Sequence, residues 1–551
     1  MDDAKTQRRR LTLVFLAVVV LVAVSILGVA DWASSRSAGR SPRTVMSAPR
    51  ATAGSTPVPT AHPAAWVRAE NARPGNADWA IPPRLLAADN QLAGYADMAS
   101  AVPGATVRLF VSAASPRVRV RAYRVGAYRG AHARLVWSSE PFATTTMPGP
   151  MTDPATRMVH AAWPATTSVS TSGWPEGLYL LKLIAVGGKT DGRQRYIPLV
   201  VRSTSTAGRL VLVSATATQA AYNTWGGRSL YGGGPGAKDF AQRSYAVSLD
   251  RPYDGDGIRK LAQYELGPIW EAESLGLDLA YLTSADLERP AALSGARGVV
   301  SLGHDEYWTI GMRRAVEAAR DAGTNVAFLG ANTAYWRVRF ASSPLGVDRE
   351  VVGYKDAALD PLARTAPAEA TTRARSGPGA DPENSLTGTL YECFPARGDY
   401  VVSQPSFALF SGTGVRAGTR IPGLVGAEID RAYPIAGTPA SVDVVSHSPV
   451  QCGKQGRTFA DSVYFTSPSG AGTFSTGTMS WSLALRGPSS GLGLTPRTVS
   501  FTRRVTANLF RAMAAGPMGR SIPATANLAS LHENPSARTG TGGPVTGPAA
   551  G

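Results

Sequence analysis

Near Ser205 the chain exchanges one hydrophobic period for another. From Trp66 to about Ser205, apolar and polar residues alternate in short runs at 106–112, 118–123, 135–138, 179–184 and 197–202. Gly and Pro separate these runs, and no helical repeat appears. Alternation by two gives each strand one buried and one open face, so an immunoglobulin-like β-sandwich is expected over 70–205. Past Arg209 the strands become continuous apolar runs, beginning with LVLVS at 210–214 and recurring at 278–282, 298–302 and 325–329. Helical stretches at 269–275 and 310–322 lie between them. Runs that are apolar on both faces and joined by helices predict a parallel sheet covered on both sides, an α/β doubly wound domain over 206–515. A Pro/Ala/Thr-rich insertion at about 341–385 interrupts this layout. More β-like segments at 462–465 and 472–477 and a helix at 498–513 complete it.

The ends of the chain are of a different kind. Arg8-Arg9-Arg10 precedes an uncharged, mostly apolar run over 11–30. At helical rise such a run covers about 30 Å, the thickness of a bilayer core. Basic residues ahead of it predict a single-pass anchor in the cell membrane, with the folded part outside the cytoplasm. Cleavage near Ala30, after Gly28-Val29, would instead give a secreted protein. Residues 1–10 are then the cytoplasmic N-terminus. Residues 31–69 and 516–551, rich in small and turn-forming residues, read as a disordered spacer and a disordered tail. The two cysteines, Cys393 and Cys452, are expected to form a disulfide in that oxidising compartment.

Charge narrows the partners. The chain has 56 Lys+Arg against 39 Asp+Glu, a formal charge of +17, yet only seven lysines. The arginines are scattered and nowhere interleaved densely with aromatics, which argues against nucleic acid and leaves attraction to an acidic envelope or a bias of residue usage.

In open α/β sheets ligands bind at the carboxyl ends of the strands. The segments expected there, 215–227, 303–308 and 330–336, are dense in polar and aromatic groups: YNTWGG, HDEYW and ANTAYWR. There is no H-E-x-x-H, and of six histidines His62 and His532 lie in the presumed tails, so a histidine-based zinc hydrolase is poorly supplied. The G-x-S-x-G at 487–491 lacks the strand–turn–helix setting of a nucleophile elbow. Neither cysteine follows an early strand of the sheet, and no Walker-type phosphate loop is present.

The motifs AYNTWGGRSLY, SLDRPY, LGHDEYW, FLGANTAYWRVR, PENSLTG, GLVGAEIDR and GAGTFSTGTMSW occur in this order. Together they resemble the large (beta) subunit of N,N-dimethylformamidase and its C-terminal domain family. GYADMAS, YRVGAYRG and EGLYLLKL resemble the sandwich that precedes that domain, so the likeness covers roughly 90–515. The resemblance implies an α/β domain similar to class I glutamine amidotransferases and amide hydrolysis at one iron held by two tyrosines and a glutamate. Carried over by motif, Glu306 is the carboxylate ligand and Tyr222 one tyrosine. Tyr179 fits best as the second, with Tyr253 and Tyr264 as rivals. His304, Asn332 and Glu428 fall around the metal. Phenolate and carboxylate are hard donors suited to Fe3+. Glu428 or His304 could move the proton from water to the departing amine, and Asn332 could bond the developing oxyanion. The resemblance also implies a small second subunit, which this chain does not supply. The substrate would be a small amide or an envelope amide. A non-catalytic, membrane-anchored binding protein is the alternative.

Overall fold

In the computed structural model, which describes residues 66–533 except 454 and 492, the five residues of the first apolar run are all buried. Its side chains serve two cores. Leu210 and Leu212 point into one shared with Ile269, Trp481, Phe501 and Leu509; Val211 and Val213 point into another with Met312, Val316 and Val326. A strand with helices on both faces cannot alternate apolar with polar, and this explains the continuous apolar run.

Five such strands are parallel: β1 (Leu210–Ser214), β2 (Leu279–Thr283), β3 (Gly298–Ser301), β4 (Asn325–Phe328) and β5 (Gly472–Ser475). They lie in the order β2-β1-β3-β4-β5. The order reverses between β1 and β3, and that crevice is where doubly wound sheets take ligands. Four antiparallel strands, Leu390–Val401, Arg420–Arg431, Asp443–Cys452 and Gly456–Thr466, extend the sheet beyond β5 to nine. The helices are α1 (Thr216–Tyr222), α2 (Arg259–Tyr264), α3 (Leu266–Ser274), α4 (Ile310–Asp321), α5 (Ser480–Arg486) and α6 (Pro496–Ala515). Helix α4 starts on Thr309, whose hydroxyl accepts from Met312 N; α6 starts on a capping box of Thr495 and Thr498.

Ahead of this layer, a three-stranded sheet and a six-stranded sheet face each other. Val107, Leu109 and Val111 of one interdigitate with Val120, Leu181, Leu183 and Ile197 of the other. The outer face of the larger sheet is also used. Leu178, Leu180, Tyr196 and Val200 enter the same core as Leu210 and Ile269, so the two parts share packing. Two buried ion pairs cross the seam, Arg124–Glu273 at 2.6 Å and Arg209–Glu176 at 2.5 Å. Truncating one partner of such a pair would leave an uncompensated buried charge, at a cost of about 3–5 kcal/mol.

Several expectations need correction. Residues 516–533 are not a disordered tail: Met518 is buried, Tyr464 donates to Ile522 O, and Leu528–Glu533 is helical. Asn325 holds this return. Its Nδ2 donates to Met513 O and Gly516 O, and its Oδ1 accepts from Gly472 N and Met518 N. The spacer ends early too, because Trp66–Asn71 is a helix whose Trp66 Nε1 donates to Asp278 Oδ1 at 3.1 Å. The segment read as an insertion at about 341–385, for which the sequence specifies no elements, carries part of a hairpin and short helical turns. Trp336–Ser343 and Gly346–Val352 pair as a hairpin and join Ala246–Ser248 and Tyr307–Thr309 in a four-stranded sheet. Gly, Pro and Ala composition signals turns, and here the turns are fastened by side chains. The anchor at 11–30, the spacer to 65 and the tail from 534 lie outside the described residues. Among the described residues no helix is long and apolar enough to cross a membrane.

Cys393 and Cys452 are bonded, tying two neighbouring strands across 59 residues of sequence. Closing a loop of that length restricts the unfolded chain by about 4 kcal/mol. The double substitution Cys393→Ser, Cys452→Ser should therefore lower the denaturant midpoint by up to that equivalent. A midpoint equal to the parent's would show that the bridge adds no stability.

Candidate functional site

Two residues past the carboxyl ends of β3 and β4 stand glycines, Gly303 and Gly330, and the site depends on them. A side chain on Gly330 would collide with the Gly303 carbonyl, and one on Gly303 would come within 2.8 Å of Tyr264 O. Without side chains the two backbones pass close together, and the loops beyond them, 304–306 and 331–334, converge. Asn332 takes a left-handed turn at φ 59, a conformation asparagine tolerates better than most residues. Its N–H donates to Asp430 Oδ1 at 2.8 Å, and its Nδ2 donates to Glu306 Oε1 at 3.1 Å.

Glu306 is the centre. Its backbone N–H is held by Thr218 Oγ1 of α1 at 3.0 Å. Tyr222, the last residue of α1, places its hydroxyl 2.7 Å from Glu306 Oε2. Tyr231, on the loop after α1, places its hydroxyl 2.5 Å from Glu306 Oε1. The two phenol oxygens are 3.0 Å apart and the rings are stacked, with centroids 4.5 Å apart. His304 Nε2 lies 3.0 Å from the Tyr222 hydroxyl. Two phenol oxygens and both carboxylate oxygens of Glu306 thus meet out of water.

The electrostatics follow from that burial. Both phenols are pushed well above the ordinary tyrosine value, first by desolvation and then by the Glu306 charge. Glu428 is pushed up to about 8, by burial and then by Glu306. Desolvation, with Lys260 nearby, holds His304 well below its usual value, so it stands as the neutral imidazole. Several polar atoms have no hydrogen-bond partner: Glu428 Oε2, Asn332 Oδ1, Tyr307 OH and Lys355 Nζ. Native interiors rarely leave such atoms unpaired, and their gathering marks a place built for something else. Two lysines complete it. Lys260 Nζ is 3.9 Å from the ring centre of Tyr222, and Lys355 Nζ is 3.2 Å from that of Tyr231.

Of the residues expected here, Tyr222, Glu306, His304, Asn332 and Glu428 are brought together. Tyr179 is not. Its hydroxyl donates to Pro175 O at 2.6 Å and its ring stacks on Trp174 inside the sandwich core, because its strand turns that side chain toward the facing sheet. Tyr264 lies against the His304 ring with centroids 5.6 Å apart, and Tyr253 lines a small recess beside Tyr222 and Lys260. Neither bonds Glu306 among the described residues. Tyr231 stands where the second tyrosine was expected. It is the last letter of AYNTWGGRSLY, the motif that also holds Tyr222, and that shared motif was the available signal. Lys260 and Lys355 had no sequence signal. Among the described residues no three His, Cys, Asp or Glu side chains group to hold a metal.

The family model described as N,N-dimethylformamidase beta subunit-like, C-terminal, matches residues 119–493. None of the curated proteins compared with the chain matches it.

Behind the site, Glu265 accepts from Ser214 Oγ, Gln219 Nε2 and Ala215 N, fixing the start of α1. Burial raises its carboxyl from 4.5 to about 7. The folded state then binds the proton more tightly, so this contribution is complete below about pH 4.5 and is lost as pH rises through about 7. It amounts to about 3 kcal/mol at most. Urea unfolding at pH 5 and at pH 8 should show a loss of stability in the parent that Glu265→Gln reduces; equal losses would show Glu265 unlinked to folding.

Proposed function

The chain belongs to the N,N-dimethylformamidase beta subunit-like family, and from that premise we propose that it is an iron-dependent amidohydrolase acting on a small or envelope amide. The observation that carries the reading is the convergence of Tyr222, Tyr231 and Glu306 oxygens within 2.5–3.0 Å of one another in a buried pocket. Such a set fits Fe3+, a hard cation that favours anionic oxygen. Tyr222, Tyr231 and Glu306 would hold it, with Tyr231 in place of Tyr179. When bound, the ion would supply Lewis acidity to an amide carbonyl and lower the pKa of water.

The chain's own groups supply the remainder. Glu428, raised to about 8, can take a proton from water near neutral pH and return it to the departing amine. His304, neutral and bonded to the Tyr222 hydroxyl, orients that oxygen. Asn332 steadies Glu306 through its Nδ2. Trp336 and Tyr307 flank Lys355 and help exclude water, which strengthens every charge interaction within. The Cys393–Cys452 bridge supports placing this activity outside the cytoplasm.

Two substitutions test the assignment. Glu306→Gln keeps the shape and removes the charge, so iron content, visible absorbance and amide hydrolysis should fall together in a folded protein. Glu428→Gln should leave iron bound and lower kcat by roughly 10²–10⁴. Full iron and colour in Glu306→Gln would refute the metal assignment. Hydrolysis of a small tertiary amide at parental rate by both variants would refute the amidase.

A further inference from the structure

The two lysines pose a question that hydrolysis alone does not answer. Only seven lysines occur among 56 basic residues, yet two of them sit on the faces of the two tyrosines that bond Glu306. They arrive from separate segments. Lys260 is the second residue of α2, and Lys355 follows the Trp336–Val352 hairpin. Lys355 is held in the left-handed region at φ 63, which an unbranched residue adopts only where its surroundings require it. Its Nζ has no hydrogen-bond partner and lies 3.2 Å from the Tyr231 ring centre, 4.8 Å from that of Trp336 and 5.2 Å from that of Tyr307. An ammonium on an unbranched stem thus stands among three aromatic rings. Its companion, Lys260, reaches Tyr222 at 3.9 Å and Tyr264 at 5.6 Å.

A cation over a ring is attracted to the negative π face, and in a desolvated site its field acts directly on the electrons of that ring. We propose that Lys260 and Lys355 are positioning residues that act through Tyr222 and Tyr231, drawing electron density from each phenol so that its oxygen is a weaker donor. This rests on the reading of the site as an iron centre. Each ammonium lowers the energy of the filled phenolate orbitals. A cation held by these two oxygens would receive less charge and stay more electrophilic toward a carbonyl oxygen. One lysine per tyrosine divides that effect between both donors.

The test uses the full chain loaded with Fe3+, comparing the parent with Lys260→Met, Lys355→Met and the two Lys→Arg variants. The readout is the visible absorbance from phenolate-to-iron charge transfer, together with iron per chain and the time course of iron loss to a chelator. Raising the filled orbital narrows the gap, so each methionine variant should absorb at longer wavelength than the parent, and the double variant at longer wavelength still. Removing a positive charge beside a trivalent ion should also slow iron loss several-fold. The arginine variants, which keep the charge, should stay nearer the parent's band. Where a methionine variant does not fold, Lys→Gln at that position makes the same comparison. A coloured parent whose variants absorb at the same wavelength, or lose iron faster, overturns this inference and leaves the iron reading standing. A colourless parent after loading removes both.

Discussion

Everything at the switch point of the sheet is arranged around one buried carboxylate. Among the described residues Glu306 forms no ion pair with an arginine to offset the cost of its burial; its oxygens are met by two phenols and an asparagine amide. Hydrogen bonds of this kind lessen the desolvation cost without cancelling the charge. Burial first and then this uncancelled charge raise both tyrosines and Glu428, and the charge opposes the fall that burial imposes on Lys355. A pocket of mutually displaced titratable groups is what acid–base and cation chemistry require.

That arrangement needs a rigid frame. The frame comes from the shared core between the sandwich and the α/β layer and from the buried pairs Arg124–Glu273 and Arg209–Glu176. Tyr281 of β2 bonds the same Glu273 that pairs with Arg124 of the sandwich, so the strand beside β1 is tied to that pair. Ion pairs this deep add little net stability against apolar substitutes, but they fix one register between the two parts. Because α1 and the loop after β3 are both held against the sheet so fixed, with Thr218 of α1 bonded to the Glu306 backbone, Tyr222 and Glu306 meet.

How much of this could be read from the residues varies with the range of the interaction. β1 was legible because a strand covered on both faces must be apolar throughout. The loops after β1, β3 and β4 were legible as a site because their polar and aromatic density has no use in a plain turn. Tyr179 misled because a tyrosine on an alternating strand carries the same letters whether its ring faces a core or a pocket. Tyr231 was passed over because its approach to Glu306 depends on how the chain folds back through Gly226 and Gly227, both at positive φ. The segment 516–533 looked like a loose tail because the groups that hold it, Asn325 and Tyr464, lie far away in sequence.

By itself, then, the sequence determined the elements and where they change kind, since hydrophobic period and glycine placement act over a few residues. It also determined the chemical character of the loops, because polar and aromatic side chains declare their donors and acceptors wherever they stand. The tertiary structure decided which tyrosine joins Tyr222 at Glu306 and which lysine covers which ring. It decided, too, that the two halves share a core. Those are contacts between segments tens to hundreds of residues apart, and their distances are set by the packing of the whole chain rather than by any local preference.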